Sequence, residues 1–171
     1  FFDPYEREWK NGNSRWDVID LVRLTRALRP DGINWPEKES GVTSFRLQEL
    51  TAANAIEHAG AHDALVDVKA TIAVAKLIRD RQPRLFDFVF NNRDKHKLAG
   101  QLNVRAGQPV LHVSARYPAR LGCIAAVAPV AMHPVNRNGV IVYDLRSDPG
   151  PLLAMSADEI RARLYTATAD L

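Results

Sequence analysis

Apolar residues recur at helical spacing over the first ninety residues of the chain. This spacing predicts helices over 14–29, 44–57 and 63–81. We expect Ser14 to cap the first helix, the second to start near Ser44, and Asp63 to cap the third. Gln82-Pro83 ends the third helix, because a proline disfavours helical geometry in the residue before it. The aromatic segment 85–90 is predicted to continue as a further helix.

Beyond about residue 104 the pattern changes to short β-branched segments separated by proline and glycine. These segments predict strands over 110–113, 123–128 and 140–143, and the Asn138-Gly139 step indicates a hairpin between the last two. Ser156 and Glu159 form a capping box that opens a terminal helix through Tyr165. We therefore predict two units, residues 1–90 and residues 91–171, with a polar junction around 91–103.

Composition places the chain among globular proteins. It has 171 residues, of which 46% are hydrophobic and 25% charged. No apolar run approaches the ~20 residues that a membrane span needs, and no secretory leader is present, so we expect a cytoplasmic protein. The single cysteine, Cys123, excludes an internal disulfide and a multi-cysteine zinc site.

The net charge of +3 is unevenly distributed along the chain. Between Arg79 and Arg120 there are nine Lys or Arg residues against three Asp residues. A local basic excess attracts polyanions such as nucleic acids. A solvated helix face beside a basic loop explains the same composition equally well, so charge alone leaves both interpretations open.

His62 and Asp67 form the densest chemical feature of the sequence. A histidine just ahead of a helix is able to take a proton from water, and an aspartate one turn inside the helix is held rigidly enough to bind a metal ion. Two-metal hydrolysis needs residues of both kinds. An aspartate in a first helical turn also stabilises the helix dipole, and a lone histidine is usually structural, so spacing alone does not decide.

The segment from His62 to Asp67, His-Asp-Ala-x-x-Asp, resembles the third motif of the proofreading-type 3′–5′ exonucleases, whose sites combine four acidic residues with one histidine. Longer strings, spread almost from end to end, resemble the bacterial exonuclease I family more specifically. These strings are Asn13 to Asp17, Ala27 to Glu37, Ser44 to Leu47, Arg81 to Asp87, Lys95 to Leu98, His133 to Asn138 and Arg163 to Ala167.

The resemblance implies an α/β fold in which this chain supplies the C-terminal, mostly helical part of a ribonuclease-H-like exonuclease domain. A small barrel resembling the Src-homology-3 fold follows it, and in the family a helical domain comes next. The implied activity is magnesium-dependent removal of 5′-mononucleotides from the 3′ end of single-stranded DNA, in DNA repair and recombination. The implied protein is a monomer that engages the single-stranded-DNA-binding protein.

The resemblance also assigns roles to individual residues. It implies that His62 is catalytic, that Asp67 binds the metal and that Arg46 lies near the substrate phosphates. The remaining residues fall where the family contacts DNA: Tyr5, Trp9, Arg23, Lys95 and Asn138. Each of them has a structural alternative. The two aromatics are also plausible core residues, Arg23 a solvent-face residue, Lys95 part of a solvated charge run, and Asn138 a turn residue.

The sequence departs from the family at its first two motifs. The family's Asp-x-Glu pair occurs nowhere in this chain, and its second-motif aspartate is expected just before Phe1. Three of the five catalytic residues are thus missing, and one aspartate does not fix two magnesium ions. We expect an active parent protein and an inactive chain. A non-catalytic module that binds single-stranded DNA, and a purely structural fragment, remain the alternatives.

Overall fold

The computed structural model describes residues 4–8, 10–38, 41–59 and 63–164. A helical part comes first and a small antiparallel sheet follows it, as the change of pattern along the sequence predicts. The helical part consists of two short 3-10 helices (Pro4–Glu8 and Lys10–Gly12), α1 (Val18–Leu28), α2 (Leu47–Ala53), α3 (Ala64–Arg81), α4 (Pro83–Asn91) and α5 (Lys95–Ala99). The second part consists of β1 (Val110–Val113), a 3-10 turn (Ala119–Leu121), β2 (Ile124–Met132), β3 (Val140–Asp144), α6 (Gly150–Leu153) and α7 (Ala157–Leu164).

Helix α1 begins directly after Asp17, which is its N-cap. The Asp17 carboxylate accepts a hydrogen bond from the amide of Ile19 at 3.1 Å, and so satisfies an amide that the first helical turn leaves unpaired. The prediction that Ser14 caps this helix is wrong, because the chain enters helical geometry only after Asp17. Ser14 lies half-buried in the irregular segment that precedes the helix.

Helix α2 is shorter than the predicted 44–57 at both ends. The Ser44 amide donates to the carbonyl of Pro36 at 2.8 Å, in a short antiparallel contact that keeps the chain extended at this point. At the other end the side-chain amide of Asn54 donates to a carbonyl one turn earlier, and Ala55 takes a left-handed φ of 52°. Local pairing on both sides therefore limits the helix.

Helix α3 matches its predicted span. The Asp63 carboxylate accepts from the amides of Leu65 and Val66 at 2.9 and 3.2 Å, which confirms it as the N-cap. Gln82 ends α3, and Pro83 begins α4 at a first-turn position where a missing N–H costs nothing. Helix α4 is the predicted aromatic helix.

The core of the helical part lies where α1, α2 and α3 meet. Its buried members come from these helices and from the loop after α1: Leu21, Val22, Ile33, Leu50, Val74 and Ile78. Helix α4 closes one side with an aromatic cluster. The Trp16 ring meets the rings of Phe86 and Phe90 edge-on, with centroids 5.6 and 5.9 Å apart. Such edge-to-face pairs add about 0.5–1.5 kcal/mol beyond the area that they bury.

The sheet has the order β1-β2-β3, and both pairs of strands are antiparallel. Val127 in the middle of β2 is buried and lies opposite Val110 on one side and Asp144 on the other. The register between β2 and β3 shifts between Pro129 and Ala131. A bulge fits there because a proline has no amide to donate to the ladder.

Helix α7 begins with the predicted capping box. The Ser156 amide and hydroxyl both donate to the Glu159 carboxylate at 2.7 Å, while the Glu159 amide donates to the Ser156 hydroxyl at 3.4 Å. These bonds hold the pKa of Glu159 below its ordinary value. Tyr165, where the helix was predicted to end, lies outside the described residues.

Within the described ranges, none of the helices is both long enough and apolar enough to cross a membrane.

One face of α3 carries exposed apolar side chains. Leu65, Val68 and Ile72 follow one another at helical spacing, and each is at least half exposed. The opposite face packs into the core through Val74 and Ile78. We call the three exposed residues the apolar stripe of α3. Helix α3 is therefore apolar on two sides, and only one of them is packed against other described residues.

We expect Ile78→Ala to lower the free energy of unfolding of the chain by about 2–5 kcal/mol, because its side chain is 1% exposed and its removal leaves a cavity. Ile72→Ala is the matched control on the same helix. Its side chain is 50% exposed, so we expect a change within about 0.5 kcal/mol. Urea denaturation measures both values. Equal losses in the two variants would contradict this description of the core.

Candidate active site

Asp67 lies in the first turn of α3, one turn after the N-cap. Its amide donates to the Asp63 carbonyl at 2.9 Å, so the backbone at this position is fixed by the helix. Its side chain is 43% exposed, which leaves the carboxylate accessible from solvent. A rigid backbone and an accessible carboxylate are what a metal ligand or a charged binding residue requires.

A buried histidine holds the carboxylate of Asp67. His58 Nε2 lies 2.8 Å from Asp67 Oδ1, and the His58 side chain is only 6% exposed. On the other edge of the ring, Nδ1 lies 3.2 Å from the hydroxyl of Thr51, a fully buried residue of α2. The structure thus connects α2 to the predicted metal ligand through one imidazole.

The sequence analysis did not identify His58. It lies in the irregular loop between α2 and α3, nine residues before Asp67, where no periodicity relates the two positions. The contact exists because the loop folds back over the start of α3. No signal in this single sequence separates His58 from an ordinary loop histidine.

Several predicted site residues are described only in part. His62 and Trp9 lie outside the described residues, so their roles stay predictions. Tyr5 lies in the 3-10 helix Pro4–Glu8 and Lys95 begins α5, and for both only the course of the backbone is described.

Arg46 is the N-cap residue of α2, and its side chain is 76% exposed. Its guanidinium lies 3.6 Å from the carboxylate of Glu49, which is three residues along the same helix. A surface ion pair of this kind contributes at most about 1 kcal/mol, so a bound anion can displace it. The position therefore permits the predicted phosphate contact.

Arg23 does not lie on a solvent face, so that alternative is wrong. Its side chain is only 18% exposed, and Nη1 lies 3.0 Å from Asp20 Oδ1. It also lies close enough to Cys123, the residue before β2, for its charge to act on the thiol. Burial raises the pKa of the Cys123 thiol, and the positive charge of Arg23 opposes part of that rise. Arg23 therefore lies on the side of α1 that faces the junction with the sheet.

Asn138 lies in the loop between β2 and β3 and is exposed. The predicted hairpin is present, but neither Asn138 nor Gly139 has the positive φ that a tight Asn-Gly turn requires. Instead the His133 amide donates to the Gly139 carbonyl at 2.9 Å and closes a longer loop. A Cβ at Gly139 would lie 3.0 Å from the Cβ of His133, so close packing explains this glycine.

A strongly lowered pKa is found away from Asp67, at the end of β3. Hydrogen bonds from Arg146 lower the pKa of the Asp144 carboxyl to about 2. The pair is a local link within one strand end, and the charge of Asp144 also raises the pKa of neighbouring Tyr117, after the larger effect of burial. The lowered pKa of Asp144 therefore reflects its local pairing with Arg146 at the edge of the sheet.

Arg93 connects the end of α4 to the segment 4–12, which carries Tyr5 and Trp9. Its Nη2 donates to the carbonyl of Gly12 at 3.1 Å, and its Nη1 donates to the carbonyl of Phe90. Its guanidinium carbon also lies 4.0 Å from the centroid of the Phe90 ring, in cation–π geometry. Arg93 thereby ties Gly12, at the end of this segment, to the aromatic cluster.

Comparison with known proteins gives the same family on every test. Residues 93–171 match the family model described as Exonuclease I SH3-like domain. All 171 residues align with exodeoxyribonuclease I of Escherichia coli (strain K12) at 54% identity, and with that of Haemophilus influenzae (strain ATCC 51907 / DSM 11121 / KW20 / Rd) at 53%. Each alignment spans 36% of the relative, so the chain covers just over a third of the length of these curated relatives.

Solved structures agree with the sequence matches. E. coli exonuclease I in complex with a dA16 oligonucleotide matches with a TM-score of 0.94 at 54% identity, over 99% of this chain and 36% of that one. A zinc-bound complex of the E. coli enzyme with single-stranded DNA matches with a TM-score of 0.92 at 54% identity, over 99% and 36% of the two chains. An ExoI/SSB-Ct complex matches with a TM-score of 0.91 at 53% identity, over 100% and 37%.

These matches confirm the expected fold, a mostly helical part followed by a small SH3-like unit with an antiparallel sheet. The boundary between residues 1–90 and residues 91–171 stays a prediction.

We expect Arg93→Ala to increase amide hydrogen exchange over residues 4–12, because the variant loses the bond to Gly12 and the contact with Phe90. Arg79→Ala is the matched control, since Arg79 is exposed and bonds its sequence neighbour Asp80. Exchange is measured by mass spectrometry on peptides from this segment. If exchange in the segment is the same in both variants, Arg93 does not hold it.

Proposed function

We propose that the protein is a 3′–5′ exonuclease that hydrolyses single-stranded DNA to 5′-mononucleotides, on the premise that this chain is homologous over its full length to an internal segment of exodeoxyribonuclease I. The full-length alignment at 54% identity is the observation that carries this proposal. The accessible, backbone-fixed carboxylate of Asp67 supports it.

A divalent cation, which we propose to be magnesium, fits the residues present in one respect. Asp67 offers an accessible carboxylate whose Oδ1 is already oriented by His58, as ligating carboxylates usually are. In the described part of the chain, no group of three or more His, Cys, Asp or Glu side chains could hold a metal ion. We therefore propose that Asp67 is one ligand and that the others come from the Asp-x-Glu and Asp motifs of the family.

Three side chains of this chain take part in the proposed chemistry. A bound divalent cation supplies an activated water and stabilises the charge that develops on the phosphate. Asp67 contributes a ligand from a rigid helix end. His62, just ahead of α3, takes the proton of the attacking water. Arg46 offers a planar guanidinium, a group that can bond two phosphate oxygens at once.

We propose that DNA binding relies on stacking and on charge. Aromatic side chains stack bases at about 1–3 kcal/mol each and do not depend on sequence, whereas Arg and Lys neutralise the backbone. The residues proposed for these contacts are Tyr5, Trp9, Arg23, Lys95 and Asn138. The solved complex of the E. coli relative with dA16 supports this proposal.

We propose that the single-stranded-DNA-binding protein is a partner. The solved ExoI/SSB-Ct complex, which this chain matches with a TM-score of 0.91, supports this proposal. We also propose a monomeric, cytoplasmic protein that acts in DNA repair and recombination, which is what the family implies.

A second candidate function is a module that binds single-stranded DNA without cutting it. The basic excess between Arg79 and Arg120 favours it, since that feature needs no metal. The two candidates differ in one observation: an exonuclease carries the Asp-x-Glu motif in the part of the protein that precedes this segment.

We expect Asp67→Ala and His62→Ala, each made in the full-length protein, to lower kcat by at least ~100-fold, because one removes a metal ligand and the other the general base. Asp80→Ala is the matched control on the same helix. Its carboxylate is exposed and pairs with Arg79, so turnover should stay near that of the unmodified protein. Release of nucleotides from 3′-labelled single-stranded DNA measures kcat. A variant that keeps normal turnover with magnesium present would show that its residue has been misassigned.

We expect the 171-residue chain alone to bind single-stranded DNA weakly and not to cut it, because most of the proposed metal ligands lie outside it. Its apolar stripe on α3 should also make it prone to aggregation. Binding, followed by fluorescence anisotropy, should weaken steeply as salt rises, because it depends on counterion release. Cleavage is assayed beside Asp67→Ala as a control for contaminating nucleases.

Two results would contradict this expectation. Cleavage that disappears in Asp67→Ala would show that the chain needs no further carboxylates. No binding even at about 20 mM salt would show that the chain holds no usable part of the DNA site.

A further inference from the structure

The contact between His58 and Asp67 is a partly buried polar link at the edge of the proposed metal site. His58 Nε2 and Asp67 Oδ1 are 2.8 Å apart, and the imidazole is 6% exposed whereas the carboxylate is 43% exposed. An ionised carboxylate only accepts hydrogen bonds, so the Nε2–H of the ring donates. Because the ring is shielded, water competes little for this bond.

The opposite edge of the His58 ring is anchored in α2. Its Nδ1 lies 3.2 Å from the hydroxyl oxygen of Thr51, which itself lies 2.9 Å from the carbonyl oxygens of Leu47 and Gln48. Thr51 is completely buried. The ring therefore has fixed contacts at both nitrogens, one to a helix in the core and one to the carboxylate.

An unsupported aspartate in a first helical turn can rotate about its side-chain bonds. A cation that requires near-octahedral oxygen ligation binds best when the plane of the carboxylate is already set. A hydrogen bond to one oxygen sets that plane. Loss of such supporting bonds typically lowers metal affinity or activity about 10–100-fold.

We infer that His58 is a positioning residue, which orients the carboxylate of Asp67 for a divalent cation by donating a hydrogen bond from Nε2 to Oδ1. This inference rests on the proposed function, in which Asp67 is a metal ligand. It adds a residue that acts through Asp67 and touches neither the metal nor the DNA.

The same link connects two parts of the proposed site. Arg46 occupies the N-cap position of α2, and Thr51 anchors His58 from the last turn of that helix. The residue proposed to contact phosphate and the residue proposed to bind the metal are thereby held by one helix. A shift of α2 would move both.

The test uses three variants of the full-length protein. His58→Gln places an amide nitrogen near the position of Nε2, so the bond to Asp67 can form again. His58→Asn places its amide nitrogen near Nδ1, so it reaches Thr51 but falls short of Asp67. His58→Leu removes both contacts at similar volume. Calorimetric titration with Mn²⁺ in the absence of DNA measures metal affinity, and steady-state kinetics with single-stranded DNA measure kcat and KM separately.

We expect His58→Leu and His58→Asn to lower Mn²⁺ affinity about 10–100-fold and to lower kcat, with KM for DNA nearly unchanged. His58→Gln should recover Mn²⁺ affinity and kcat to within about threefold of the unmodified protein, because its amide restores the hydrogen bond to Asp67 and nothing else. Thermal unfolding of each variant checks that it is folded. If His58→Leu does not fold, the comparison of His58→Gln with His58→Asn decides alone, because both side chains are polar amides.

Two outcomes would overturn the inference. One is unchanged Mn²⁺ affinity and kcat in folded His58→Asn, and the other is equal losses in His58→Asn and His58→Gln. Asp67→Ala, measured beside them, separates this failure from failure of the proposed function. If Asp67→Ala itself leaves Mn²⁺ binding unchanged, Asp67 is not a ligand and the proposed metal site is wrong. If Asp67→Ala weakens Mn²⁺ binding but the His58 variants do not, only the role of His58 has been misassigned.

Discussion

The packing of α1 and α2 against α3 is the constraint on which the candidate site depends. Val74 and Ile78 of α3 meet Leu21 of α1 and Leu50 of α2 in one buried cluster. This docking fixes both ends of the loop that connects α2 to α3, and that loop carries His58 back to the start of α3. Apolar burial in the core thereby determines a polar contact about two turns of α3 away from Val74. A change in how α2 docks would alter the site without touching a site residue.

The site separates the groups that act from the groups that support them. Asp67 and Arg46 present charged atoms to solvent. The side chains of His58 and Thr51 are buried, and through them α2 holds the carboxylate of Asp67. Burial strengthens a hydrogen bond, while exposure keeps a carboxylate ionised and open to a ligand. Rigid support and chemical availability are thus obtained from different residues, and neither requirement compromises the other.

The sequence predicted the elements that depend on local signals. The span of α3, its Asp63 cap, the break at Gln82 and the capping box of α7 follow from residues within one or two turns of each other. Other predictions failed where a distant partner decides the outcome. Ser44 is kept out of α2 by its pairing with Pro36, and a bond from the His133 amide to the Gly139 carbonyl closes a longer loop in place of a tight Asn-Gly turn.

The residues of the candidate site were predictable from the sequence only in part. Asp67 was proposed from the motif His-Asp-Ala-x-x-Asp, and Arg46 from the string Ser44 to Leu47, which resembles one family. Spacing alone does not contain either signal. His58 was missed because its role arises from a loop that folds over a helix end. Supporting residues of this kind have no characteristic spacing, since many loop conformations can bring a side chain to the same atom.

Cys123 provides an internal reporter for the junction between the helical part and the sheet. Its thiol is buried and its pKa is raised, so the fraction present as reactive thiolate is small. The neighbouring Gly122 lies close to α1, where an added Cβ would be 3.8 Å from the Cβ of Ala27. An alkylating reagent therefore reaches the sulfur only when the packing around Cys123 opens. The rate of alkylation then measures how often this packing opens, without the need to attach a foreign probe.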